Sequence, residues 1–405
     1  MFIGGCVLLR QRGALRPDKL VLGALAAATV GADACPRPFP AVSSSVTTGT
    51  CGSGDGCDDT AIWVHPSAPE RSVVIGDDKQ GGVLVWSLRG EQLQILDGGT
   101  AMNNIDVRYD FPLEGHFATG QPHAIVALVG VVNESDAGLT FYKVNPHCAP
   151  AGRLEHVGED LADSTVALDA PQPYGGCFYR SAATGRHHFF VTWKDGTLRQ
   201  VELRGGRRIT GRVVRRLVVG GQLEACAADD VRADLYVGEE ELGIWKYGAE
   251  PGDNDARGLV DRVGSRTGLV ADVEGLGLYC RSDGGGYLIA AGQSSGADTR
   301  FVVYDRDGDN AWRGTFRVSG ADSTDGLDVT NVSLGPRFPW GLLVVHDARP
   351  TPSRHRLVPF ERVARRLGLV LDTTRDPRKG EAVRAAGTRP VESPRCAAGS
   401  TSPGP

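Results

Sequence analysis

Lysine is scarce in this chain. Of 44 basic residues in 405, six are lysine (Lys19, Lys79, Lys143, Lys194, Lys246 and Lys379) and 38 are arginine. A cationic excess is missing too: the formal net charge is −5, which argues against a nucleic-acid partner, whose binding face is normally basic. The apolar stretch over residues 20–30 is shorter than the ~20 residues that cross a bilayer. There is no P-loop, no H-E-x-x-H, no C-x-x-C pair, and no G-x-G-x-x-G between a strand and a helix, so nucleotide and zinc chemistry lack their usual carriers. No Gly-X-Y period or heptad pattern occurs, and no strands alternate with long amphipathic helices. What is abundant is glycine: 55 residues, roughly twice the ordinary ~7% share.

The first 34 residues read as a secretory signal peptide: basic residues, the short apolar run, then the A-x-A pattern Ala32-Asp33-Ala34. They carry a net +2, so their removal leaves a chain of about −7. Lipidation at Cys35 is the alternative, but a large apolar residue is missing three positions before that cysteine. Without Cys6, eight cysteines remain, an even number that suits disulfides in an exported protein. Cys51 and Cys57 bracket a glycine-rich loop at bridging range, while the rest of the pairing stays open. Residues 35–54, rich in Pro, Ser, Thr and Gly, read as a linker, and 367–405 as a disordered C-terminal tail.

Between them, over 55–366, the pattern is all-β. Short β-branched and aromatic runs stand at 73–75, 83–88, 125–132, 140–144, 188–193, 198–203, 235–237, 244–247, 287–291, 301–304 and 342–345, mostly divided by Gly, Asn or Asp. Acidic motifs recur before strands: Asp58-Asp59, Glu224, Asp272-Val273-Glu274, and Asp325 with Asp328. Such a repeat suits the blades of a propeller, whose innermost strands line a central channel. Acids recurring at one blade position then converge on one mouth.

Acids gathered without His or Cys suit hard, oxygen-loving cations such as Ca²⁺. The candidates are Asp58, Asp59, Glu224, Glu239, Glu240, Asp272, Glu274, Asp325 and Asp328, with Asp347 and the Gln293 amide as peripheral help. Lys79 and Lys194 sit in tight turns, where an ammonium beside a metal cluster would bind phosphate as a point charge. Residues 305–309 (DRDGD) lack the Glu and spacing of an EF-hand and read as a hairpin turn. Residues 292–296 (GQSSG) fit the G-x-S-x-G pattern of a serine nucleophile, but a strand rather than a helix is expected after them.

Collinear stretches carry a resemblance: 58–66 (DDTAIWVHP), 102–113 (MNNIDVRYDFPL), 238–240 (GEE), 243–246 (GIWK), 249–252 (AEPG), 271–276 (ADVEGL), 324–329 (TDGLDV) and 358–363 (VPFERV). Together they resemble the β-propeller phytases, calcium-dependent enzymes that hydrolyse myo-inositol hexakisphosphate. The resemblance implies a six-bladed propeller of four-stranded antiparallel sheets that binds several Ca²⁺ ions. It puts metal ligands at Asp58, Glu224, Glu239 or Glu240, Asp272, Glu274, Gln293, and Asp325 or Asp328. It puts phosphate contacts at Lys79, Tyr174 and Lys194, and it implies direct attack of a metal-held water with no covalent intermediate. A secreted monomer acting on a small-molecule substrate, with no nucleic acid and no membrane after leader removal, is the expectation. The alternative is a non-catalytic calcium-binding propeller used for ligand binding or adhesion. One departure bears on the site: near 129–133 (VGVVN) the family generally has Ser-Asn-Arg, and no arginine stands there. Either another arginine substitutes or one phosphate subsite is weakened.

Overall fold

In the computed structural model, residues 39–52, 56–114, 123–147, 152–294, 298–349 and 351–378 are described. The proposed leader, Cys35, Cys148 and Cys396 lie outside them.

Glycine and Asn/Asp turns return the chain on itself every few residues, and the strands between them collect into six sheets arranged as propeller blades. The first blade is Cys57–Trp63, Val73–Asp78, Gly82–Ser87 and Gln92–Leu96. The second is Met102–Glu114, His123–Asn133, Gly138–Asn145 and Arg153–His156, with Thr165–Ala167 also on its third strand. The third runs from Gly176–Arg180 to Thr210–Val218, the fourth from Leu223–Asp229 to Arg257–Arg262, and the fifth from Val273–Cys280 to Trp312–Val318. The sixth has Leu327–Thr330, Leu342–Asp347 and Arg354–Pro359. Each of the eleven expected strands overlaps an observed one.

The sixth blade takes its outer strand from the other end of the chain. Val46–Thr47 pairs antiparallel with Arg354–Pro359 in the register Val46↔Leu357. Ala41–Val42 lies parallel on the fifth blade, in the register Ala41↔Arg317. Both pieces fall in the stretch whose composition reads as a linker. Residues beyond 367 also lie on the propeller. After the helix Phe360–Leu367, capped by Gly368 in the left-handed region (φ 68°), the Val370 N–H donates to the Tyr287 hydroxyl (2.7 Å) and Asn331 Nδ2 donates to the Arg375 carbonyl (2.9 Å).

The core is divided. Six apolar clusters are found, one between each pair of neighbouring blades: Phe178, Phe189 and Phe141 between the second and third, for example, and Ile289, Phe301 and Val345 between the fifth and sixth. The inner and middle strands of each sheet are mostly buried, while outer strands such as Thr210–Val218 and Arg257–Arg262 are largely exposed and carry polar residues.

Candidate functional site

Strand ends are where this sequence puts its acids. In four blades the innermost strand opens with a β-bulge: register shifts fall between Cys57 and Thr60, Asn103 and Ile105, Leu223 and Cys226, and Val273 and Gly275. The residues inside those shifts include Asp58, Asn104, Glu224 and Glu274. A bulge re-aims a side chain out of the alternating pattern, and four blades use it at the same end of the propeller. Asp325 comes from the turn just before the sixth blade's inner strand, Leu327–Thr330.

The acids meet. Glu224, Glu240 and Glu274, all buried, bring carboxylate oxygens within 4.8 Å of one another. Glu240 Oε1 and Glu274 Oε2 have no hydrogen-bond partner. Such crowding disfavours charge. Burial, followed by the Glu224 and Asp325 charges, pushes the Glu274 carboxyl up to about 11. Glu224 is raised well above the carboxylate range by burial and then by Asp58 and Asp325, and Glu240 is raised mainly by burial.

Lys79 stands among the acids. Its Nζ lies 2.6 Å from Asp58 Oδ1 and 3.0 Å from Asp325 Oδ2. Burial would raise the Asp58 carboxyl, but the Lys79 ammonium, helped by a hydrogen bond with Asp325, holds that group below its ordinary value. Lys79 itself is driven up, against burial, by Asp58, Asp325 and Glu224. The Gln293 amide donates to Asp325, and the Gln293 N–H donates to the Asp272 carbonyl (2.6 Å). The Asp272 side chain hydrogen-bonds Glu241.

Tyr174 stands beside Glu224. Lys194 Nζ sits 3.9 Å from its ring centroid, a cation–π contact. Its hydroxyl bonds Glu224, and burial together with that charge keeps the phenol protonated well above its ordinary range. Asn103 Nδ2 donates to the Tyr174 carbonyl (2.9 Å) and to Glu224 Oε1 (3.3 Å). The strands following Tyr174 and Glu224 are joined by the disulfide Cys177–Cys226. Gly175 packs so closely on Glu224 that a Cβ would overlap the Glu224 carbonyl oxygen, so only glycine fits between these two blades.

Other candidates stand elsewhere. Glu239 accepts from the Gly221 N–H and from Trp245 Nε1, both at 2.6 Å, so both of its oxygens are engaged by the fold. Asp328 accepts the N–H groups of Ile62 (2.7 Å) and Val329 (2.6 Å). It lines an axial cavity of about 170 Å³ together with Asp59, Asp106, Arg108, Asp229 and Asp230. Asp347 is paired with Arg356 (2.7 Å). Asp305 ends a strand and pairs with Arg313, as a hairpin does. Gly292 ends one strand and Arg300 begins the next, with Ser295 outside the described residues. Cys51, Cys57 and His355 also lie together, but Cys51 and Cys57 form a disulfide and offer no thiolate. Sequence reasoning passed over Asn103 and Asn104. The available signal was their place at the second blade's bulge, where other blades carry Asp58 or Glu224.

A family model described as Phytase matches residues 17–382. The 3-phytase of Bacillus subtilis (strain 168) is 32% identical over 359 residues, covering 84% of this chain and 89% of that protein. Among solved structures, Chaetomium thermophilum Sqt1 bound to the N-terminus of ribosomal protein L10 overlays with a TM-score of 0.43 at 14% identity, over 76% of this chain and 88% of that one. A chain of a humanized mutant of the Chaetomium thermophilum Polycomb Repressive Complex 2, bound to the inhibitor GSK126, overlays with a TM-score of 0.36 at 12% identity, over 61% of this chain and 47% of that one.

Proposed function

The chain belongs to the phytase family, and from that premise we propose that it is a calcium-dependent phytase that hydrolyses phosphate monoesters of myo-inositol hexakisphosphate at the acidic mouth. The observation that carries the reading is the buried trio Glu224, Glu240 and Glu274, with two partnerless carboxylate oxygens, flanked by Lys79 and Lys194. An all-oxygen donor set lacking imidazole and thiolate fits Ca²⁺. Asp58, Glu224, Glu240, Glu274, Asp325 and the Gln293 amide would hold the ions, with Asp272 at the margin. Glu239 and Asp328, engaged with the fold, stand outside that set. Calcium bound there supplies positive charge between an acidic protein and a more acidic substrate, polarises phosphoryl oxygen and lowers the pKa of water.

The chain's own residues do the rest. Lys79 stays protonated at any working pH and fixes Asp58 and Asp325 relative to each other. Lys194, held over the Tyr174 ring, presents an ammonium to phosphate oxygens. The Tyr174 phenol stays protonated and keeps Glu224 oriented, and Asn103 does the same from the second blade. No serine or cysteine nucleophile is needed. Among the described residues no helix is long and apolar enough to cross a membrane. The leader over residues 1–34 would direct secretion of a monomer.

Phosphate release from the hexakisphosphate, measured with calcium, with chelator and after calcium is restored, tests the reading. Calcium-dependent release is the expected result. No release at any pH, with calcium still bound, would favour the non-catalytic calcium-binding propeller instead.

A further inference from the structure

One hydrogen bond repeats in every blade. The N–H of Lys79, Glu134, Thr192, Glu240, Gln293 and His346 donates to the carbonyl of Gly56, Ala101, Gly175, Gln222, Asp272 and Gly326, at 2.8, 3.0, 2.8, 3.0, 2.6 and 3.1 Å. Each acceptor immediately precedes the first residue of its blade's innermost strand, so the six donors are equivalent positions on one rim. Five of them already touch the site. Lys79 pairs with Asp58 and Asp325, Glu240 belongs to the carboxylate trio and Gln293 bonds Asp325. Thr192 Oγ1 reaches the carbonyls of Leu223 and Glu224 (3.1 and 3.4 Å). His346 Nδ1 accepts from the Asp325 N–H (3.2 Å). Glu134 is the sixth.

We propose that Glu134 is a specificity-determining residue: from the second blade it places a carboxylate beside Lys194, penalises a second phosphate there, and so shifts preference towards esters carrying fewer phosphates. The inference rests on the phosphate-ester reading above. Glu134 is half-buried, and its carboxyl is raised by burial while the Lys194 and Lys79 ammoniums pull it down and the Asp58 charge pushes it up, so it sits within the field of the mouth's charges. Three of the six rim positions carry charged side chains, Lys79, Glu134 and Glu240, and in the third blade, whose rim residue is Thr192, the charge comes from Lys194 two residues further on. A single phosphate drawn to Lys79 and to the cation that the trio would hold meets mostly attraction, whereas a neighbouring phosphate on the same ring must pass a carboxylate.

The test compares the wild type with Glu134→Gln, which keeps the shape, and Glu134→Arg, which reverses the charge. Calcium is held saturating, and the substrates are the hexakisphosphate and phenyl phosphate. The expected result is a KM for the hexakisphosphate roughly 5-fold lower in Gln and more than 10-fold lower in Arg, with kcat within about twofold. The KM for phenyl phosphate should move less than about twofold. Calorimetric binding of myo-inositol hexasulfate, a non-hydrolysable polyanion, should tighten in the same order. Equal changes for both substrates, or no change in hexasulfate affinity, overturns the proposal. If the wild type turns over neither ester while hexasulfate tightens in the variants, the hydrolase reading fails and Glu134's role in polyanion selection stands.

Discussion

The mouth and the axial channel are lined by the same kind of residue and treat it in opposite ways. In the channel each acid has a partner from the chain. Arg306 Nη2 meets Asp229 Oδ1 at 2.6 Å with both side chains fully buried. Arg108 spans Asp106 (3.1 Å) and Asp230 (3.2 Å) while donating to the Phe178 and Ala228 carbonyls, and Asp328 takes two backbone N–H groups. At the mouth, Glu224, Glu240 and Glu274 face one another, and two of their oxygens have no partner. Buried carboxylates are retained when something compensates them. The channel carries its compensation in the sequence, whereas the mouth, beyond Lys79, Tyr174 and Asn103, leaves two carboxylate oxygens open, as the proposed cation site requires.

The comparison can be broken in four ways, taken from the largest expected effect downward. Chelation should abolish phosphate release, a loss above about 100-fold that calcium restores. Unchanged release in chelator would place the mouth with the channel. Next, Glu274→Gln and Lys194→Ala should each lower kcat by roughly 100-fold, with the thermal melt moving only a few degrees. A melt that collapses instead would mean these groups hold the fold. In the channel the pattern should invert: Arg306→Ala leaves buried Asp229 with only the Val231 and Arg232 N–H groups and the Arg232 side chain at 4.0 Å, and should destabilise by about 3–5 kcal/mol, read by denaturant unfolding, while kcat of the folded fraction is unchanged.

The fourth effect concerns pH. Glu274 rises from an ordinary 4.5 to about 11 on folding, so between those values the folded state holds a proton that the unfolded state has lost. Stability is therefore full below about pH 4.5 and declines as pH rises towards 11. The melting temperature of chelated protein should fall from pH 5 to pH 9, and calcium should flatten that slope by displacing the proton. A chelated protein that gains stability with pH would contradict the crowding at the mouth.

Much of this was legible because blades repeat. The acids before inner strands could be read as a recurring position, and Cys51 and Cys57 were close enough in sequence to be read as a bridge. What escaped depends on single-residue geometry or on distance along the chain. Glu239 and Glu240 are neighbours, and only the turn decides that one accepts Gly221 and Trp245 while the other enters the trio. Asp325 and Asp328 divide between mouth and channel for the same reason. Cys177 and Cys226 are 49 residues apart and meet only when the third and fourth blades pack. The edge strands Ala41–Val42 and Val46–Thr47 are two residues each, too short for an alternation to register. Residues 368–378 are held by Leu369 and Leu371 against the core between the fifth and sixth blades and by tyrosine hydroxyls and the Asn331 amide, and the two leucines are too short a signal to register in a Pro- and Arg-rich tail.

The pairing of Val46 with Leu357 has a consequence for assembly. Local hairpins can form as soon as each blade is available, but the last blade needs a strand made more than 300 residues earlier, and the seam between first and last blades closes only then. The mouth draws one rim group from each blade, so a chain with five blades assembled has no five-sixths of a site. Lys79 and Asp58 stand on one side of that seam and Asp325 on the other. The Lys79–Asp325 ion pair therefore acts as a latch, and the competence of the mouth reports whether the ring has shut.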